Sequence, residues 1–108
     1  PTLVMLDHLE DPHNFGAIIR TCEALGIDGI IIPNDRNVGV NATVVKTSAG
    51  AIYNMPIIRV VNLATSIKKL KDMGYWIVGT DMDGTDYTLI DYNSPICLII
   101  GNEGHGMF

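Results

Sequence analysis

Apolar positions in this chain fall into short continuous runs separated by stretches of helical spacing, and that alternation predicts its elements. Leu3-Val4-Met5-Leu6 is a run without polar interruption and reads as a strand buried on both faces. Residues 12–25 follow as a helix, with Phe15, Ile18, Ile19, Cys22 and Leu25 on one stripe. Asp11 stands at its cap, and Pro12 takes the first helical position, where a missing N–H costs nothing. Gly26 stops it. Gly29-Ile30-Ile31-Ile32 is a second buried strand, closed by Pro33 and Asn34 and followed by a polar loop over 35–39. Asn41 caps a short helix predicted over 42–51, whose second half, Thr47-Ser48-Ala49-Gly50-Ala51, is small enough to pack closely on a neighbour. Ile57-Ile58-Arg59-Val60-Val61 reads as a strand. Asn62 then caps the clearest amphipathic helix, with Leu63, Ile67, Leu70 and Met73 in register and Lys68, Lys69 and Lys71 off the stripe. Gly74 ends it. Tyr75-Trp76-Ile77-Val78-Gly79-Thr80 is the next strand, residues 81–95 form a long polar loop, and Ile96-Cys97-Leu98-Ile99-Ile100 is the last strand.

Strands that alternate with helices and are apolar throughout predict an α/β domain, a parallel sheet with helices on both faces, spanning residues 1–108. A composition of 47% apolar and 18% charged residues is globular and excludes a disordered chain. No apolar run is long enough to cross a membrane and no signal-peptide pattern opens the chain, so the expected compartment is the cytoplasm. Cys22 and Cys97 sit inside apolar patterns and are expected to be reduced and buried. The formal net charge of −5 argues against a free-standing basic nucleic-acid binder. It leaves room for an RNA enzyme that draws charge from another domain or from a second copy.

Candidate chemistry gathers at two stretches. Asp11-Pro12-His13-Asn14-Phe15-Gly16-Ala17-Ile18-Ile19-Arg20 opens the first helix just after a strand, the place where open α/β sheets bind ligands. Gly16 in the first turn lets another backbone or a ligand come close. Arg20 can read a phosphate with its fork, or can pair with Glu23 or Asp28 on the surface. Asn14 can serve catalysis or bond its own backbone at the helix entry. The second stretch, Gly101-Asn102-Glu103-Gly104-His105-Gly106-Met107, follows the last strand. Its glycines allow backbone N–H groups to face a ligand, or make a plain turn. The spacing is neither the dinucleotide fingerprint nor a Walker loop, and Glu103 would repel a pyrophosphate, so an uncharged or cationic ligand suits it better. His8, His13 and His105 lack the spacing of a helical zinc site, and residues 81–86 misplace the glycine of a calcium loop, so no metal is expected.

Taken together, the first stretch with Leu6-Asp7 before it and Thr21 after it, and the second with Leu98-Ile99-Ile100 before it, resemble two sequence motifs of the SpoU (TrmH-like) RNA 2′-O-ribose methyltransferases of the SPOUT superfamily. Lys46-Thr47-Ser48-Ala49-Gly50-Ala51 and Val78-Gly79-Thr80-Asp81 fall where such enzymes carry similar strings, so the resemblance covers the entire chain. It is nearest to the bacterial enzymes that methylate a guanosine ribose of 23S rRNA. The resemblance implies a SPOUT-type α/β knot, S-adenosyl-L-methionine as cofactor, RNA (rRNA before tRNA) as substrate, and a homodimer. It implies Asn14, Arg20 and Glu103 as catalytic residues, Thr80, Gly101, Asn102 and Gly104 as cofactor-binding residues, and His13, Arg20 and Lys46 toward RNA. Asn102 departs from the Ser or Ala usual there. The third motif of the family is absent, so the domain is expected to be incomplete before the knot-forming segment and to bind cofactor poorly alone. The rival expectation is a non-catalytic nucleotide-sensing or protein-interaction module on the same layers.

Overall fold

The computed structural model of the chain describes residues 1–7, 12–34, 42–79 and 93–100, and at Pro12 and His13 the backbone alone. Five strands, β1 (Thr2–Leu6), β2 (Gly29–Pro33), β3 (Ile57–Val60), β4 (Trp76–Gly79) and β5 (Ile96–Ile100), form one sheet in the order β3-β2-β1-β5-β4. Every pairing is parallel, with Val4 opposite Ile30 and Leu98, Ile31 opposite Ile58, and Val78 opposite Leu98. The three helices are α1 (Pro12–Ala24), α2 (Ala42–Thr47) and α3 (Leu63–Asp72), with a 3-10 turn at Ala51–Tyr53.

Strand alternation divides the core in two. On one face, Val4, Leu6, Ile30 and Ile32 pack with Phe15, Ile19 and Cys22 of α1, Val44 of α2, and Ala51, Ile52 and Met55 beyond it. On the other, Met5, Ile31, Cys97 and Ile99 pack with Leu70 of α3, flanked by Leu63 and Ile67. Layers on both faces explain the uninterrupted apolar strands. The two cysteines are free and belong to opposite faces of the sheet, which keeps them apart. Burial lifts the Cys22 thiol above its ordinary pKa and pushes Cys97 up to about 11, so both stay protonated at neutral pH.

The helices share one C-terminal device, in which a left-handed residue lets two amides turn back on the last carbonyls. At α1, Gly26 N–H donates to the Glu23 carbonyl (3.1 Å) and Ile27 N–H to that of Cys22 (2.9 Å). At α3, Gly74 N–H donates to Lys71 (3.0 Å) and Tyr75 N–H to Leu70 (2.9 Å). At α2, Ala49 N–H donates to Lys46 and Gly50 N–H to Val45, both at 3.1 Å. Here the left-handed position is an alanine, Ala49 at φ 54°, where the other two helices use glycine.

Three expectations are corrected. The helix predicted over 42–51 stops at Thr47, because Ala49 and Gly50 both turn left-handed before the 3-10 turn. Leu25 and Met73 continue their helical stripes in sequence but are 73% and 69% exposed, since each lies past the last helical residue. The cap at Asn62 is as expected, its side-chain oxygen accepting from the Thr65 N–H at 3.0 Å. The expected caps Asp11 and Asn41, the loop over 35–39 and most of the loop over 81–95 lie outside the described residues.

Candidate functional site

In sequence order the strands step from β1 outward to β2 and β3, then resume at the far edge with β4 and return inward to β5 beside β1. The order therefore reverses between β1 and β5, which is where parallel sheets open a crevice at their carboxyl ends. Registers carry the alignment to that edge: Leu6 pairs with Ile100, Gly79 with Ile99, and Asp7 N–H donates to the Ile100 carbonyl at 3.0 Å. In sequence these adjacent ends are followed by residues 8–11, 80–92 and 101–108, which lie outside the described residues.

Helix α1 starts at this edge. Asn14 is exposed in its first turn, and Arg20 is exposed further along it. His13 lies in the helix backbone, and its side chain is outside the described residues. Among the described residues Arg20 makes no ion pair. Asp28, one of its possible surface partners, instead accepts from the Thr2 backbone N–H at 2.7 Å, tying the start of β1 to the start of β2. Glu103, Thr80, Gly101, Asn102 and Gly104 lie outside the described residues. So do His8 and His105. Among the described residues no group of His, Cys, Asp or Glu is arranged to hold a metal ion, and no helix is long and apolar enough to cross a membrane.

The close approach that Gly16 permits is to another backbone. Gly16 is buried, and a Cβ built on it would overlap the Thr47 hydroxyl, come within 2.7 Å of Thr47 Cβ and 3.0 Å of the Ser48 amide. The small residues after Lys46 are thus the floor for α1. Ser48 is fully buried and its hydroxyl donates to the Val45 carbonyl at 3.1 Å, while the Thr47 hydroxyl donates to that of Thr43 at 2.9 Å. Each hydroxyl is satisfied by a carbonyl of α2, so the contact with α1 is one of shape. Lys46, one residue earlier, is exposed in the last turn of α2, where a cation also suits the helix dipole. Sequence reasoning named Gly16 and the small run separately; their pairing is tertiary and left no signal beyond the two compositions.

A sequence model of the SpoU rRNA Methylase family matches residues 1–108. A protein of Staphylococcus saprophyticus, assigned to the TrmH family of tRNA/rRNA methyltransferases, is 53% identical over 107 residues, covering 98% of this chain and 43% of its own length. Among solved structures, an rRNA methyltransferase from Sinorhizobium meliloti is 36% identical with a TM-score of 0.85, over 99% of this chain and 42% of its own. The SpoU methyltransferase AviRb from Streptomyces viridochromogenes, solved in complex with AdoMet, is 29% identical with a TM-score of 0.81, over 98% of this chain and 42% of its own. The chain therefore spans about two-fifths of the length of the relatives it matches.

Proposed function

The chain belongs to the SpoU rRNA methylase family, and from that premise we propose that it is the catalytic part of an RNA 2′-O-ribose methyltransferase. Its proposed substrate is rRNA ahead of tRNA, at a guanosine ribose, and its proposed cofactor is S-adenosyl-L-methionine. The observation that carries this reading is the meeting of β1, β5 and β4 at one carboxyl edge, beside the exposed Asn14 and Arg20 of α1. That edge joins the two stretches that resemble the family's motifs. Homodimerisation and a cytoplasmic location are proposed with it.

The donor set suits a cationic nucleoside. Gly79 at the end of β4 is buried and pairs with Ile99, and Thr80, Gly101, Asn102 and Gly104, which follow these two strands in sequence, would hold it through hydroxyl, amide and backbone groups. When bound, the cofactor supplies a methyl group activated on a sulfonium. A ribose 2′-hydroxyl is a weak nucleophile at neutral pH and has to be held in line and relieved of its proton. The Arg20 side chain offers a planar fork of donors and no acceptor, so its part is to grip the adjacent phosphate with two hydrogen bonds and to stabilise negative charge growing on the 2′-oxygen, whose proton passes to water. Asn14, at the edge where α1 begins, orients that group, and Glu103 orients the loop after β5.

The test is methyl transfer by the full chain from labelled S-adenosylmethionine to rRNA and to tRNA, with the modified nucleotide identified by nuclease digestion. Label recovered as a 2′-O-methylated nucleoside from rRNA is the expected result. Label on a base, or no transfer despite cofactor binding, would overturn the reading, the second outcome in favour of a nucleotide-sensing module.

A further inference from the structure

Arg20 and Lys46 are both exposed, and they belong to two helices that meet where neither has a side chain to spare. Gly16 lies one turn before Arg20 on the same column of α1. Side chains in a helix lean toward its N-terminus, so Arg20 covers the turn in which Gly16 sits. Thr47, the last residue of α2, faces Gly16, while Val44 of α2 and Ser48 just past its end are each fully buried. Lys46 is exposed and so turns the other way, to solvent. One exposed cation thus stands on each of the two helices that meet at this seam, and the seam is as narrow as a glycine backbone against a threonine side chain.

Resting on the RNA methyltransferase reading above, we propose that Gly16 is a positioning residue: by seating the Thr47 side chain and the Ser48 amide against the α1 backbone, it sets the spacing at which Arg20 and Lys46 together hold the substrate's phosphate backbone. The seam is suited to this because nothing in it is adjustable. A Cβ at Gly16 meets Thr47 Cβ at 2.7 Å and the Ser48 amide at 3.0 Å, and the latter is backbone that cannot rotate away. Thr47 is held by its own bond to Thr43, and Ser48 by its bond to Val45. A methyl group added at Gly16 can be accommodated only by moving one helix against the other. A shift of that kind re-spaces the cations directly, and reaches the end of β5 only through the packing of Leu98 and Ile100 against the shared core.

The experiment moves the bulk across the seam. Gly16→Ala, Thr47→Gly and the double variant are made in the full chain, and RNA KM, kcat and cofactor Kd are measured for each at a temperature well below its melting. Gly16→Ala is expected to raise the RNA KM and lower kcat, with kcat/KM down about 100-fold, as a displacement of about 1 Å at a reacting group produces. Its cofactor Kd is expected to change by less than the RNA KM. In the double variant the methyl group introduced by Gly16→Ala occupies volume that Thr47→Gly gives up, and kcat/KM is expected to recover about tenfold or more, a rescue on the scale of a double-mutant coupling of about 1.4 kcal/mol. Thr47→Gly alone widens the seam and is expected to raise the RNA KM, which decides the matter if Gly16→Ala does not fold. Wild-type kinetics in Gly16→Ala or in Thr47→Gly, or a loss in Gly16→Ala that the double variant does not relieve, would overturn the proposal. Equal losses of RNA and cofactor binding would overturn it too, because they indicate a general defect. A wild-type chain that transfers no methyl group to RNA fails at the earlier step and removes the reading on which the seam's role depends.

Discussion

At Arg20 the surroundings say as much as the side chain. It is exposed on α1 and has no ion-pair partner among the described residues, while Asp28 accepts from the Thr2 amide. An exposed arginine can offer its fork to an outside anion. Replacing it with Ala is expected to abolish methyl transfer in single-turnover assays while the cofactor affinity stays within a few-fold; a normal rate would remove it from the reaction. Arg20→Lys is expected to restore little, because an ammonium cannot reproduce the planar fork. Ala49 presents a different single-residue problem. At φ 54° it occupies a conformation that costs an alanine about 1–2 kcal/mol. Ala49→Gly removes that strain but loosens the unfolded chain by about 0.4–1 kcal/mol. The net expectation is a gain of between about 0 and 1.6 kcal/mol in urea unfolding, and a loss of stability would show that the alanine methyl makes a contact worth more than the strain. The sequence hid this position, because an alanine announces no helix end, and Gly50 after it reads as one of the small residues inside the helix predicted over 42–51.

The other two helices were legible from their ends. Gly26 and Gly74 mark left-handed stops, and Asn62 marks a start, each because a local rule suffices to place it. Asn62→Ala removes the acceptor of the Thr65 N–H and is expected to cost about 1 kcal/mol, read as a lower urea midpoint with an unchanged slope. Asn62→Asp should retain nearly all of it, since its carboxylate accepts the same bond. Where the sequence misled, the cause was also local. Leu25 and Met73 keep the helical period, but the period says nothing of where the helix stops overlapping the sheet. The strands were legible because a parallel sheet covered on both faces demands unbroken apolar runs. Their order was not, since which run lies beside which is decided by crossovers and by how α1, α2 and α3 share the two faces. For the site, the motif stretches could be named from sequence, and the topology supplies what sequence lacks: that the ends of β1, β4 and β5 are neighbours.

On the scale of the whole molecule, charge and topology together decide how RNA can be held. Seven Lys and Arg stand against twelve Asp and Glu, and three of the seven are Lys68, Lys69 and Lys71 on α3. That helix covers the face of the sheet opposite α1 and α2. It also runs from the carboxyl edge, where β3 ends, back to the amino edge, where β4 begins, so its lysines lie at the far end from the proposed site. Off that helix the exposed cations among the described residues are Arg20, Lys46 and Arg59 near the end of β3, too few for tight binding by counterion release alone. The expected behaviour of this acidic surface is weak binding, with a slope of log K against log salt of at most about −2.1 to −2.7, three contacts at about 0.7 to 0.9 each. Lys46→Ala is expected to weaken binding about equally for all RNA sequences and to reduce the magnitude of that slope by about 1. Replacing Lys68, Lys69 and Lys71 together with Ala is expected to leave the slope where it was, although it removes three charges instead of one. Filter binding over a salt series distinguishes the two faces: a slope that falls with the triple variant and not with Lys46→Ala would put RNA on α3 and away from the carboxyl edge. Submicromolar, sequence-selective binding by this domain as a monomer at physiological salt would show that the surface recognises RNA unaided, against the expectation that a second domain or a second copy contributes most of the grip.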